Sequence, residues 1–274
     1  MKIHASLLLC LAFTAASCSV PSEAAWSGLH FNAYGGMLDV STEGTVDNVK
    51  ATSGGANVQG DVDLGAASDS VLLFGGRAGV APFELVFSDL SFNTGNPSVF
   101  AAGGTFAGNV LTSNLRSTTT VDMAIRKMLL GIDVFATGVF RLGLLLGVDE
   151  VSFDELSVTA DQSALLGAIS PGDKQVVLSG ESVFVPMVGA RADIDLPSGF
   201  RVGAELTGVA ASTSDVDVSY FDFDGSLNYA ITDNIEALLG YRYITINVDG
   251  SFDGTRLDTE LDITGPYIAV GIVF

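Results

Sequence analysis

Few side chains in this sequence could do chemistry, so each can be weighed in turn. Histidine is the residue that most readily moves protons near neutral pH. There are two, His4 in an N-terminal leader and His30 at the start of the first regular segment. Gly167 to Lys174 (GAISPGDK) has the outline of a phosphate-binding loop, but Asp173 precedes the lysine and no Ser or Thr follows it, so a surface loop is expected. Asp215, Asp217, Asp222 and Asp224 alternate along one stretch and offer hard oxygens suited to calcium. Tyr220 stands where an EF-hand would need its first ligand, and solvated lumen or rim carboxylates are expected instead. Both cysteines, Cys10 and Cys18, fall in the leader. With no His/Cys cluster, neither a transition-metal site nor a cofactor is expected.

The elements that carry these residues have a period of two. In Phe140 to Val148, residues Phe140, Leu142, Leu144, Leu146 and Val148 share a face opposite Arg141, Gly143, Leu145 and Gly147. Phe200 to Ala210, Ile235 to Thr245 and Ile263 to Phe274 repeat the pattern. One face carries large apolar side chains. The other mixes glycine with isolated charges, which suits a narrow lumen where side chains share space. Ten segments fit: 29–40, 70–81, 83–93, 119–135, 138–151, 182–196, 199–211, 216–231, 234–249 and 258–274. In the fourth, Arg126 and Asp133 fall on opposite parities, and a bulge between them would reconcile the two. Connectors alternate between tight turns and mostly long loops near 41–69, 94–118 and 152–181. Short turns at one rim and long loops at the other is the organisation of an outer-membrane barrel. The expected fold is therefore all-β: a closed antiparallel transmembrane β-barrel of about ten strands, with eight or twelve also compatible, and both ends of the mature chain at the short-turn rim.

That phasing aims one set of charges inward: Arg77, Glu84, Arg141, Asp149, Arg191, Asp193, Arg201, Glu205, Glu236 and Arg242. The structural reading is pairing away from lipid, since an unpaired charge there would be costly. The functional reading is a selectivity ring in a pore. Opposite signs are interleaved and a ten-strand barrel is narrow, so a plugged lumen is expected. The expected network joins Arg191, Asp193, Arg201, Glu205, Glu236 and Arg242 across strands.

Composition bounds the rest. Charged residues are 16% of 274, yet Asp+Glu number 32 against Lys+Arg 12, a formal charge of −20. A mean hydropathy of +0.44 rules out bulk disorder, and the acidity argues against nucleic acid as a partner. Residues 1–25 read as an export signal, with Lys2 before the apolar run Ser6 to Ala16 and small residues at Ser22 and Ala24. A lipoprotein leader ending before Cys18 is the alternative. Residues 26–274 then form one barrel domain.

Trp26-Ser27-Gly28-Leu29-His30-Phe31-Asn32-Ala33-Tyr34-Gly35-Gly36 resembles the opening of small outer-membrane barrels of the OmpA-like and opacity-type porin superfamily, with His30 where Tyr is commoner. Val185 to Arg191, Gly240-Tyr241-Arg242-Tyr243 and Gly265 to Phe274 are similar to later strands of such barrels. The terminal Phe274 resembles the signal read by the barrel-assembly machinery. The resemblance implies the outer membrane of a Gram-negative-type bacterium, with lipid, lipopolysaccharide and that machinery as partners and the surface ligand unspecified. Outer-membrane enzymes of this shape place His with Ser, Asp or Glu near the outer rim. His30 lies at the opposite, periplasmic rim, so no enzyme is expected. The expected role of the monomer is structural or one of surface interaction; the alternative is a narrow passive channel for small solutes.

Overall fold

The computed structural model describes residues 29–53, 56–63, 67–100, 102–212, 216–252 and 255–274. The leader with both cysteines, the Trp26-Ser27-Gly28 opening and Asp215 lie outside the described residues. The strands are β1 (Leu29–Ser53), β2 (Ala56–Asp63), β3 (Ala67–Val80), β4 (Phe83–Phe100), β5 (Thr105–Phe106), β6 (Asn109–Val110), β7 (Leu115–Ala136), β8 (Phe140–Ala160), β9 (Lys174–Asp195), β10 (Phe200–Ser212), β11 (Val216–Thr232), β12 (Ile235–Phe252) and β13 (Thr255–Val273). Ten of them run antiparallel to their neighbours, and β13 pairs back onto β1 from Asn32↔Val273 to Asp47↔Asp258. The sheet is thus a closed ten-strand barrel, in which each strand edge is paired, as lipid requires. Strands β2, β5 and β6 extend its outer end.

Tight turns at one rim fix the register. Thr137 caps the β7–β8 turn, its hydroxyl accepting from the Phe140 amide at 2.9 Å. Thr232 does the same between β11 and β12, accepting from the Ile235 amide at 3.0 Å. Between β9 and β10, Ser198 (φ 67°) and Gly199 (φ 81°) are left-handed, and Gly199 takes that conformation without a Cβ clash. Leu29 and Phe274 end at this same rim, where the Phe31 and Phe274 backbones exchange hydrogen bonds of 2.9 and 2.8 Å.

The outward apolar face is a membrane belt. On β8, Leu142, Leu144, Leu146 and Val148 are all exposed. Aromatic pairs flank the belt: Phe31–Phe274, Phe135–Phe140 and Phe200–Tyr229 at the short-turn rim, and Phe221–Tyr243 toward the other end. Just beyond the belt, outward-facing Arg126 bonds Asp89 at 3.3 Å and Glu150 at 3.1 Å. From Phe140 to Val148 is about 26 Å of strand at about 3.3 Å per residue, or about 20 Å of height at a tilt of about 40°. That matches a thin hydrocarbon core.

Two expectations need correction. Much of the segments 41–69, 94–118 and 152–181 is strand, not loop: β1, β4, β7, β8 and β9 run on well past the belt. They were hard to see as strands because the outward face is largely polar there and the inward face mixes polar with apolar residues. Thr42, Asn96, Ser98, Ser117 and Thr119 turn inward and bond one another, as in Ser98–Ser117 at 2.9 Å and Thr119–Ser98 at 2.8 Å. The second correction concerns β7. Its pairing with β8 shifts between Asp133 and Phe135 and between Asp122 and Met123, not between Arg126 and Asp133. Arg126 therefore faces out, while Lys127 and Asp133 face in.

Candidate functional site

The inward face is built in two layers. Toward the outer end the interior is largely apolar, with Leu38, Leu73, Leu90, Met123, Ile125, Val151, Val185, Ile244 and Ile263 in one buried core beneath the Thr42–Thr119 polar cluster. Nearer the short-turn rim lies a continuous ionic network. His30 Nε2 lies 2.8 Å from Glu84 Oε2. Glu84 also accepts from Arg141 Nη2 at 2.9 Å and is bonded by Arg191. Arg191 donates to Asp133 at 2.7 Å, and Arg141 to Asp193 at 3.2 Å. Arg77 links Asp193 at 3.0 Å to Glu205 at 3.8 Å. Lys127 bridges Glu205 at 2.9 Å and Asp222 at 2.8 Å, and Arg242 grips Asp222 through Nη2 at 2.7 Å and Nε at 3.3 Å.

The bases Arg77, Lys127, Arg141, Arg191 and Arg242 thus meet the acids Glu84, Asp133, Asp193, Glu205 and Asp222, and the formal charges cancel. Nearly all are buried, so mutual pairing is what makes the network tolerable in a low dielectric. Glycines on facing strands make the room. A Cβ on Gly143 would lie 2.7 Å from Arg191 Nε, and one on Gly203 would lie 3.1 Å from Asp193 Oδ1. Tyr34 and Tyr267 likewise lie over cross-strand Gly75 and Gly240.

Seven of the ten residues expected to face inward, Arg77, Glu84, Arg141, Arg191, Asp193, Glu205 and Arg242, are members of this network. The other three also face inward but stand outside the network. Arg201 pairs with Asp195 at 2.7 Å nearer the rim. Glu236 accepts from the Asn32 amide. Asp149 is fully buried beside Lys127, Tyr220 and Asp222 but forms no ion pair among the described residues. The network members not anticipated are Lys127, Asp133 and Asp222. The first two were hidden by the phase of β7. Asp222 was hidden because Arg242 directly faces Asp224 in register, yet bonds Asp222 on the diagonal.

The other chemistry-bearing residues find ordinary roles. His30 is inward and 8% exposed at the short-turn rim. Lys174 of the GAISPGDK segment pairs with Glu155 at 2.6 Å, and Asp173 accepts from the Ser170 amide at 2.8 Å. Asp222 and Asp224 face the lumen, whereas Asp217 is exposed near the outer end. A cavity of about 580 Å³ opens at the short-turn rim and ends at Tyr267, Arg242 and Lys127.

Structural comparison agrees with this architecture. The outer-membrane protease OmpT from Escherichia coli superposes with a TM-score of 0.57 at 12% identity, covering 89% of this chain and 97% of that one. The chain is an outer-membrane β-barrel. OprG from Pseudomonas aeruginosa (TM-score 0.38, 15% identity, 90% and 97% covered) and Ail of Yersinia pestis (0.31, 11%, 90% and 99%) also match. No protein-family model and no curated protein sequence matches the chain. At these identities the likeness is one of fold, and the barrel with its apolar belt is placed in the outer membrane.

Proposed function

We propose that this barrel is non-enzymatic and does not conduct, acting as a monomer in envelope integrity or in surface interaction through its acidic outer end. The observation that carries this reading is the filled lumen: a charge-balanced network below and an apolar core above. Because the network is neutral, the formal charge of −20 resides elsewhere. Exposed Glu43, Asp69, Asp154, Asp161, Glu181 and Asp217 place much of it on the outer half. Such a surface suits cationic or cation-bridged partners, lipopolysaccharide among them. Assembly would run through the barrel-assembly machinery, with Phe274 as its signal.

OmpT is a protease, so an enzymatic role is the natural rival. Against it, His30 is the one histidine among the described residues, and it is engaged with Glu84 at the short-turn rim. The cavity at that rim favours a second reading, a narrow passive channel. Liposome swelling with the refolded protein separates the two. Liposomes carrying it should swell in arabinose no faster than empty ones; swelling that rises with protein content would overturn the plugged reading.

A further inference from the structure

The cavity at the short-turn rim has a charge pattern that the plug does not use. Four of its basic side chains are matched: Arg77 by Asp193, Lys127 by Glu205, Arg201 by Asp195 and Arg242 by Asp222. Besides the exposed Asp233, two carboxylates in its wall have no such partner among the described residues. Asp224 accepts only from the Tyr267 hydroxyl, at 2.8 Å, and Glu236, 5% exposed, accepts from the Asn32 amide. Neither forms an ion pair among the described residues. The Asn228 Oδ1 atom, in the same wall, is buried and accepts no hydrogen bond. One buried and one half-buried carboxylate and a buried carbonyl oxygen lining one cavity call for a donor that carries positive charge.

The spacing narrows the class. Asp224 faces Arg242 across β11 and β12, and Arg242 lies six residues from Glu236 on β12. At about 3.3 Å per residue the two acidic positions are about 20 Å apart along the strand, or about 15 Å along the barrel axis at a tilt of about 40°. Leu238 and Val86 line the wall as apolar surface, and Tyr34 and Tyr267 present aromatic rings near Asp224. We infer that this cavity binds a linear aliphatic polyamine entering from the periplasmic side. One ammonium sits at Glu236 and Asn228 near the mouth. Another sits at Asp224 at the inner end, beside rings whose faces attract cations. The methylene chain lies along Leu238. This goes beyond a plugged barrel, because it gives the closed lumen a ligand without requiring passage through it.

Spermine, long enough when extended to reach both carboxylates, is the probe, titrated calorimetrically into the full chain refolded in detergent micelles. Saturable binding is expected, absent for magnesium at equal ionic strength and for the uncharged 1,8-octanediol. Glu236→Gln and Asp224→Asn should each weaken it at least tenfold. Leu238→Trp, which fills the cavity and leaves its charges in place, should abolish it. No saturable binding by wild type, an equal response to magnesium, or unchanged affinity in both carboxylate variants would overturn the inference. Should the variants fail to refold, wild type still decides: spermine binding without octanediol binding supports the site, and equal binding of the two overturns it.

Discussion

Arg242→Leu removes the cation that grips Asp222, which is 0% exposed. The guanidinium and carboxylate bond at 2.7 and 3.3 Å, so their charge centres are about 4 Å apart. At an effective dielectric of about 20 that attraction is about 4 kcal/mol. Lys127 remains 2.8 Å from Asp222, so the orphaned carboxylate keeps half its compensation. The expected loss is about 3–5 kcal/mol, the range for breaking a buried pair, and toward its lower end if water from the cavity reaches Asp222. The double variant Arg242→Leu/Asp222→Leu should recover part of this, because the half-compensated Asp222 carboxylate is gone and Lys127 retains Glu205. Urea unfolding of the refolded barrel in detergent micelles, followed by far-ultraviolet circular dichroism and heat-modified gel mobility, gives the cycle. A coupling energy of about 1–3 kcal/mol is expected. A single variant with wild-type stability, or strictly additive losses, would refute the argument that these charges are held in place by each other.

The belt predicts that Leu144→Arg costs about 2–4 kcal/mol, whereas Ser91→Arg, outward beyond the belt, costs about 0–1; equal unfolding midpoints would be inconsistent with the assigned membrane level. Phe274→Asp should lower outer-membrane yield, because Phe274 closes β13 onto Phe31 and exposes its ring beside it; unchanged yield would remove its assembly role. Above the membrane, hydrogen bonds from Lys174, then from Ser157, hold the Glu155 carboxyl below the usual carboxylate range. Its contribution is therefore full above the unfolded pKa and lost as pH falls through the folded one. With the side chain 32% exposed it is worth under about 1 kcal/mol. A carboxyl NMR titration should place Glu155 below a reference glutamate, and Lys174→Ala should raise it; no change on that substitution would contradict the pairing.

The strand rhythm and the four tight turns were legible because apolar side chains at alternate positions must meet lipid, a signal no other arrangement of Phe140 to Val148 satisfies. The inward charges followed from the same parity. What escaped the sequence was local. Lys127 and Arg126 are neighbours of the same sign, so parity alone had to separate them, and the shift at Asp133 blurred it. Asp222 and Asp224 both face the lumen, and only three-dimensional reach decides that Arg242 takes the diagonal partner. Beyond the belt the outward face has no lipid to satisfy, so the alternation that marks a membrane strand disappears although the strands continue.

The central claim is that the lumen is closed by its own side chains. Planar lipid bilayers holding the refolded protein measure this directly. Wild type should give no steady ohmic current, and Lys127→Ala combined with Arg242→Ala, which removes two cations from the network, should raise the frequency of openings. A stable conductance from wild-type protein, unaltered by that double substitution, would contradict the account.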